Sequence, residues 1–222
     1  MSERGIEPTI VDAYLGAVDW LRSILGRSEV AEAWAGPSAV AEYTVGGIAA
    51  HAVHSVLWLE QLLRDSEPTG LRHVSIAEFF GTNRVEGSVD RDPFSASLRA
   101  AAEAFARTGA PVVIAACTAS RDELVSLLSA AAADRPVPVV RVAGGQVRLQ
   151  DYLRTRVLEV VVHADDVACS VPRLLVADPP PAAMEICLGV CLEMARAHAG
   201  EIGTLRAFTR AERAEPDALR IL

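Results

Sequence analysis

Glu159 and His163 stand four residues apart in a segment that predicts one helix from about Leu149 to Ser170. Side chains at this spacing are neighbours on the helix surface, so the carboxylate and the imidazole share a face. Carboxylate oxygen and imidazole nitrogen form a ligand set that zinc and other divalent transition metals accept. A metal site needs a third ligand, so this helix must pack against another element that supplies it.

The chain contains five histidines, which limits the source of a third ligand. His51 and His54 lie in a segment that predicts an apolar helix from Thr44, its N-cap, to about Arg64. A polar side chain buried there without a partner costs about 1–3 kcal/mol, and the Glu159 face is a natural partner. Hydrogen-bonded core histidines and a simple Glu–His pair fit the same pattern, so spacing alone leaves these interpretations open.

Composition narrows the class of protein. The chain has 222 residues, of which 51% are hydrophobic, so it can bury the core of one domain. A formal net charge of −8 argues against nucleic-acid and anionic-membrane partners, which are normally met by a basic patch. The sequence shows no secretory signal and no apolar run long enough to span a membrane, so we expect a cytoplasmic protein.

Helical periodicity dominates the remaining sequence. Helices are predicted over about 7–25, 44–64, 92–107, 121–133, 149–170 and 181–198. A short strand is predicted at 112–116, and alternation around Gly144 and Gly145 predicts a β-hairpin over 137–150. The tail from Leu205 is predicted to be polar and to dock on the end of the bundle or contact a partner. We therefore expect a mainly α antiparallel helix bundle, a fold that builds metal sites from facing helices.

The C-terminal part is expected to extend this bundle. Residues 1–171 are predicted to form the metal-binding bundle, and residues 172–222 a helix and tail that pack on it. Cys187 and Cys191, four residues apart, are predicted to be small packing residues, with a soft-metal or redox role as the alternative. Bundles of this kind pair through apolar helix faces, so a homodimer is a further expectation, although the sequence specifies no interface.

Two motifs carry a resemblance to a known family. The run YTVGGIAAH ends at His51, and the run RVLEVVVHADD begins at Arg156. Together they resemble the mycothiol-dependent maleylpyruvate isomerase N-terminal domain family, one of the DinB-like metal-binding four-helix bundles. This resemblance implies a DinB-like antiparallel four-helix bundle in which His51, Glu159 and His163 bind a metal, normally zinc. Three protein ligands leave a coordination position open, and in the family's mechanism the thiol mycothiol fills it.

Three further residues are candidates for catalytic roles. Asp166 follows His163 by three residues and is predicted to accept the other ring N–H of a histidine ligand. Arg156 precedes Glu159 by three residues and is predicted to orient it or to bind a substrate carboxylate. A plain salt bridge from Arg156 to Glu159 or Asp166 is the alternative. His54 is predicted to carry protons near the metal, with a core hydrogen bond as the alternative.

The predicted function is a zinc-dependent enzyme that activates mycothiol or a similar thiol. The thiol would be transferred to a small electrophile or would assist an isomerisation. Isomerases of the family carry a separate C-terminal domain that helps to form the substrate site, and only about fifty residues follow Ser170 here, so we expect that domain to be missing or reduced. The alternative is a bundle that keeps its metal site for stability or ligand binding, as a sensor or interaction module. Closed coordination by His54 or by a partner chain would favour this alternative.

Overall fold

The structure, a computed structural model, describes residues 5–81, 93–140, 142–214 and 218–219. The described helices are α1 (Pro8–Leu25), α2 (Ser28–Ala33), α3 (Val45–Arg64), α4 (Ile76–Gly81), α5 (Pro93–Ala106), α6 (Ala110–Ala130), α7 (Leu149–Ser170) and α8 (Pro181–Thr209). The described strands are β1 (Arg72–His73), β2 (Pro136–Val139) and β3 (Gly145–Arg148). The predicted mainly α fold class is confirmed.

Four long helices form the bundle. α1 and α3 each pack against both α6 and α7, which closes a ring of helices around one apolar core. α5 packs on α3, while α8 packs on α1, α4 and α7. An apolar stripe of α1 faces the core, and its buried members include Ile10, Tyr14, Val18, Leu21 and Leu25. The two helices that bear the predicted ligands, α3 and α7, are therefore direct neighbours.

The start of α3 is fixed by a cap and by close approaches. Thr44 Oγ1 accepts a hydrogen bond from the Gly47 amide at 2.8 Å, which confirms the predicted N-cap. The Glu103 carboxylate on α5 accepts hydrogen bonds from the Thr44 amide at 2.8 Å and from its hydroxyl at 3.0 Å. A Cβ at Gly46 would lie 2.5 Å from the Trp34 indole, so a side chain there would collide with a rigid ring. These contacts hold the N-terminal end of α3 against its neighbours.

Residues 110–130 form the single helix α6, so the predicted strand at 112–116 and the predicted start of the next helix near residue 121 are wrong. The β-branched residues Val112, Val113 and Ile114 favour a strand locally, but strand propensity depends on context and yields to packing. One buried stripe runs at helical spacing through both predicted pieces. Its members are Val113, Cys117, Ser120, Leu124 and Leu128.

The predicted hairpin is confirmed, with β2 antiparallel to β3 and Val137 opposite Val147. The sequence did not predict β1, which pairs in parallel with β3 and makes it the central strand of three. Pro136 and Pro138 are compatible with this sheet because β2 is an edge strand, where proline is tolerated.

α8 continues past its predicted end at His198 to Thr209 and is broken at Gly200, where φ is 72° and ψ is 170°. Glycine reaches positive φ without steric cost, so the chain changes direction there and resumes its helix. The first part of the predicted polar tail, from Leu205 to Thr209, is therefore helical. Of the two cysteines on α8, Cys187 is buried and both have free thiols.

No single helix among the described residues has the length and apolarity needed to cross a membrane. α5 and α6 meet those criteria only when taken together, and they are bent by 108° relative to each other. Both helices pack against α3 in the bundle.

Candidate metal centre

His51, Glu159 and His163 converge between α3 and α7. One nitrogen or carboxylate oxygen of each lies within 4.8 Å of the other two. The rings of His51 and His163 are nearly perpendicular, at 80°, and their centroids are 4.7 Å apart. On α7 itself, His163 Nε2 lies 3.3 Å from Glu159 Oε2, so the four-residue spacing stacks the two side chains as the sequence predicts.

The donor types of the cluster suit a divalent metal, and the separation within its α7 pair matches zinc geometry. Tetrahedral zinc with bonds of about 2.0–2.2 Å separates its ligand atoms by about 3.4 Å. The separation of 3.3 Å between His163 Nε2 and Glu159 Oε2 matches this value. The Glu159 and His163 side chains remain 25% and 20% exposed, so solvent reaches the cluster.

Asp166 forms a hydrogen bond with the second ring nitrogen of His163. Its Oδ2 lies 2.9 Å from His163 Nδ1, three residues earlier on α7. An ionised carboxylate can only accept a hydrogen bond, so Nδ1 carries a proton and Nε2 is the nitrogen that faces Glu159. Carboxylate–histidine pairs of this kind orient metal-binding imidazoles and raise their basicity.

The two histidines differ in protonation. Burial, aided by the neighbouring His163, lowers the pKa of His51 to about 4, so its ring is neutral and has a lone pair at neutral pH. Burial also acts to lower the pKa of His163, but hydrogen bonds to Asp166 and Glu159 outweigh it and raise the pKa. Burial acts to raise the pKa of Glu159, but the charges of Arg156 and His163 lower it. Without a metal, Glu159 and His163 therefore form an ion pair.

Arg156 is a largely buried cation beside the cluster. Its guanidinium carbon lies 4.8 Å from the Tyr152 ring centroid and 5.7 Å from that of Phe79, so aromatic rings contact the guanidinium. One terminal nitrogen lies 3.7 Å from Glu159 Oε1, and Nε donates to Thr155 Oγ1 at 3.3 Å. Of the two salt bridges predicted as alternatives, the structure forms the one with Glu159.

His54 lies outside the ligand cluster. Its ring stacks on Phe105 of α5, with centroids 5.0 Å apart and planes 11° from parallel. Burial lowers the pKa of His54, so the ring is neutral at neutral pH. The proton-carrying role of this residue stays a prediction.

Three aromatic residues that the sequence analysis did not predict as site residues lie at the site. The Tyr43 ring lies 5.7 Å from the His51 ring, and Tyr152 and Phe79 contact Arg156. Tyr152 precedes Arg156 by four residues, so helical spacing could have identified it. Phe79 comes from α4, and no spacing rule connects it with α7.

A family model described as the mycothiol maleylpyruvate isomerase N-terminal domain matches residues 17–168. The chain belongs to this family. The match includes the three residues of the cluster and confirms the relationship that the two motifs predict. Searches of curated proteins and of solved structures found no match.

Proposed function

We propose that this protein is a zinc-dependent enzyme that activates a low-molecular-weight thiol, mycothiol or a close analogue. The thiol would be transferred to a small electrophile or would assist an isomerisation. The convergence of His51, Glu159 and His163 within 4.8 Å carries the proposal, in a chain of a mycothiol-linked family. These three residues would hold the zinc ion, and the ion would supply thiol activation by lowering the pKa of the thiol.

In this proposal the surrounding residues prepare the ligands. Asp166 keeps the proton on His163 Nδ1 and so directs the Nε2 lone pair toward the position between the three ligands. Arg156 keeps Glu159 ionised through its positive charge. Contact with Tyr152 and Phe79 holds the guanidinium in place, so we assign Arg156 to orienting Glu159 ahead of binding a substrate carboxylate.

The charge balance favours an anionic fourth ligand. In the metal-free site, protonated His163 and Arg156 carry two positive charges, and Glu159 and Asp166 carry two negative ones. A divalent cation held by His51, Glu159 and His163 in place of the Nε2 proton would leave one excess positive charge. An anionic thiolate would offset this charge, whereas a neutral ligand would not.

The proposed function is accompanied by proposals for the C-terminal part of the chain and for the cellular location of the protein. α8 packs on α1 and α7, so we propose that the described part of residues 172–222 extends the bundle and does not form a separate isomerase-type domain. We propose a cytoplasmic location because the cytosol keeps thiols reduced, which a thiol cosubstrate requires. The four cysteines of the chain are free, in agreement with a reducing compartment.

The test combines metal content with thiol binding. Purified wild-type protein is expected to bind one zinc ion per chain by elemental analysis, and His51→Ala and Glu159→Ala are expected to lose it. His73→Ala is the matched control, because His73 is an exposed histidine in β1. Calorimetric titration of mycothiol should show binding to the zinc-loaded protein and none after chelation, and an electrophile screen should then detect conjugation.

Specific results would contradict this assignment. Full zinc content in Glu159→Ala would remove Glu159 from the ligand set. Loss of zinc in His54→Ala, with the fold intact by circular dichroism, would show that the three-ligand set is incomplete. Wild-type protein that cannot be loaded with zinc or another divalent transition metal would refute the metal-dependent function itself.

A further inference from the structure

The outer face of α8 is apolar at its centre. Leu188 and Leu192 are 63% and 42% exposed, although they lie four residues apart on one helix face. The opposite face of the helix is buried through Cys187, Val190 and Met194 against the bundle. Single exposed leucines are ordinary, but two on one face form a continuous patch that a second surface can cover.

Gly189 lies between these two leucines. A Cβ built at this position meets no heavy atom of the described chain within 4 Å, so nothing in the chain requires a glycine there. Glycine is among the least favourable residues in the interior of a helix. Its presence at the centre of the exposed face is explained if another backbone approaches α8 closely at this level.

Charges of opposite sign flank the apolar patch. Glu185 lies one turn before Leu188, and Arg196 lies one turn after Leu192, on the same face. Within the part of the chain that the structure describes, Glu185 forms no hydrogen bond or ion pair, and Arg196 pairs with the exposed Glu201 of its own helix. The order along the face is therefore acidic, apolar, glycine, apolar, basic.

We propose that the α8 face formed by Glu185, Leu188, Gly189, Leu192 and Arg196 binds the same face of a second copy of this chain, with the two helices antiparallel. A two-fold axis at the level of Val190 places Leu188 against Leu192 of the other copy. The same axis places Glu185 against Arg196 of the other copy, twice per dimer. This order of residues is self-complementary when antiparallel, as a two-fold interface requires, whereas parallel pairing would oppose like charges.

The proposed interface is limited to the part of α8 before Gly200, because the chain changes direction at that residue. The proposal requires nothing of the metal centre, so it can fail or succeed independently of the proposed function.

Sedimentation velocity of the full chain tests this interface. A single helix pair is a small interface, so the concentration series should run from about 1 to about 200 μM. The mass is expected to rise from that of a 23.6 kDa monomer toward twice this value. Leu188→Glu is expected to raise the dissociation constant at least tenfold. Val125→Glu, at a residue of α6 with similar exposure to Leu192, should leave it unchanged.

Charge exchange tests the antiparallel register. The dimer should dissociate in the Glu185→Arg variant and in the Arg196→Glu variant, because each substitution creates two like-charge contacts per dimer. An equimolar mixture of these two variants should recover the dimer, since every contact then joins opposite charges. Gly189→Ala should raise the thermal midpoint of the monomer and weaken association.

Two results would overturn the proposal. One is a monomer at every concentration of the wild-type protein. The other is a dimer that Leu188→Glu leaves intact or whose mixed charge variants do not reassociate. Circular dichroism of each variant verifies that it is folded, so a loss of association cannot be confused with unfolding.

Discussion

Replacing Asp166 by Asn will weaken metal binding at the cluster far more than the same change at Asp165. Both substitutions remove one negative charge and keep the side-chain shape. Asp166 accepts the Nδ1 proton of His163 at 2.9 Å, whereas Asp165 is exposed one residue earlier on α7. The comparison therefore separates the hydrogen bond to the ligand from the general effect of a lost charge.

The two expected losses of metal affinity differ in size. Loss of a carboxylate that orients a ligand histidine typically costs 10–100-fold in metal affinity, or about 1.4–2.7 kcal/mol. A surface unit charge at about 10 Å in water changes the energy of a divalent cation by about 0.8 kcal/mol, which is about fourfold in affinity and decreases with salt. Competition with a chromophoric zinc chelator measures both affinities, and repetition at high salt should abolish the Asp165→Asn effect only.

Equal losses of affinity in the two variants would refute this reasoning, because the effect would then be charge alone. Unchanged affinity in Asp166→Asn would have the same consequence. Retained affinity of Asp166→Glu would indicate that the longer side chain still reaches Nδ1. The thermal midpoint of each metal-free variant must be compared, so that reduced folding is not read as reduced affinity.

Three other outcomes are expected. Gly46→Ala should destabilise the fold by about 1–3 kcal/mol in chemical denaturation, because its Cβ would displace the Trp34 ring, and an unchanged midpoint would contradict the packing argument. Asp19→Asn should cost about 0.5–1 kcal/mol at pH 7, since the partly exposed carboxylate pairs with Arg121. Burial acts to raise the pKa of Asp19, but hydrogen bonds from Arg121 and Arg22 lower it, so this contribution is present above the unfolded pKa near 4 and is lost as the pH falls below it. A wild-type stability advantage that persists at about pH 2 would argue against the ion pair. Zinc at about 100 times its dissociation constant should stabilise the wild-type protein by about 2.7 kcal/mol and leave His51→Ala unchanged in thermal unfolding.

The sequence predicted the parts of the site that depend on one helix. Glu159, His163 and Asp166 lie on α7, where the helical repeat alone sets which side chains meet. His51 required the family motif, because the packing of α3 against α7 joins residues more than one hundred positions apart. The contact between Phe79 and Arg156 depends on where α4 lies, which no local pattern encodes.

Errors in the fold arose where local preference and packing disagree. Val112 to Ala116 has β-branched residues typical of a strand, yet the buried stripe of α6 continues through it. Strand β1 has two residues and pairs with β3 far along the chain, so it has no length or alternation to detect. Gly200 marks a break in α8, but the helix resumes beyond it, because glycine permits the turn without preventing further helix.

The origin of the three candidate ligands has a consequence for ion selectivity. Glu159 and His163 stand on one rigid helix, so their separation changes little, and only His51 comes from the opposite side. The ionic radius that these three ligands would accept is therefore expected to depend on the separation of α3 and α7. Preferred bond lengths differ by a few tenths of an ångström between zinc and larger cations such as calcium. Substitutions in the buried contact between these helices will thus alter which ion is preferred without changing a ligand.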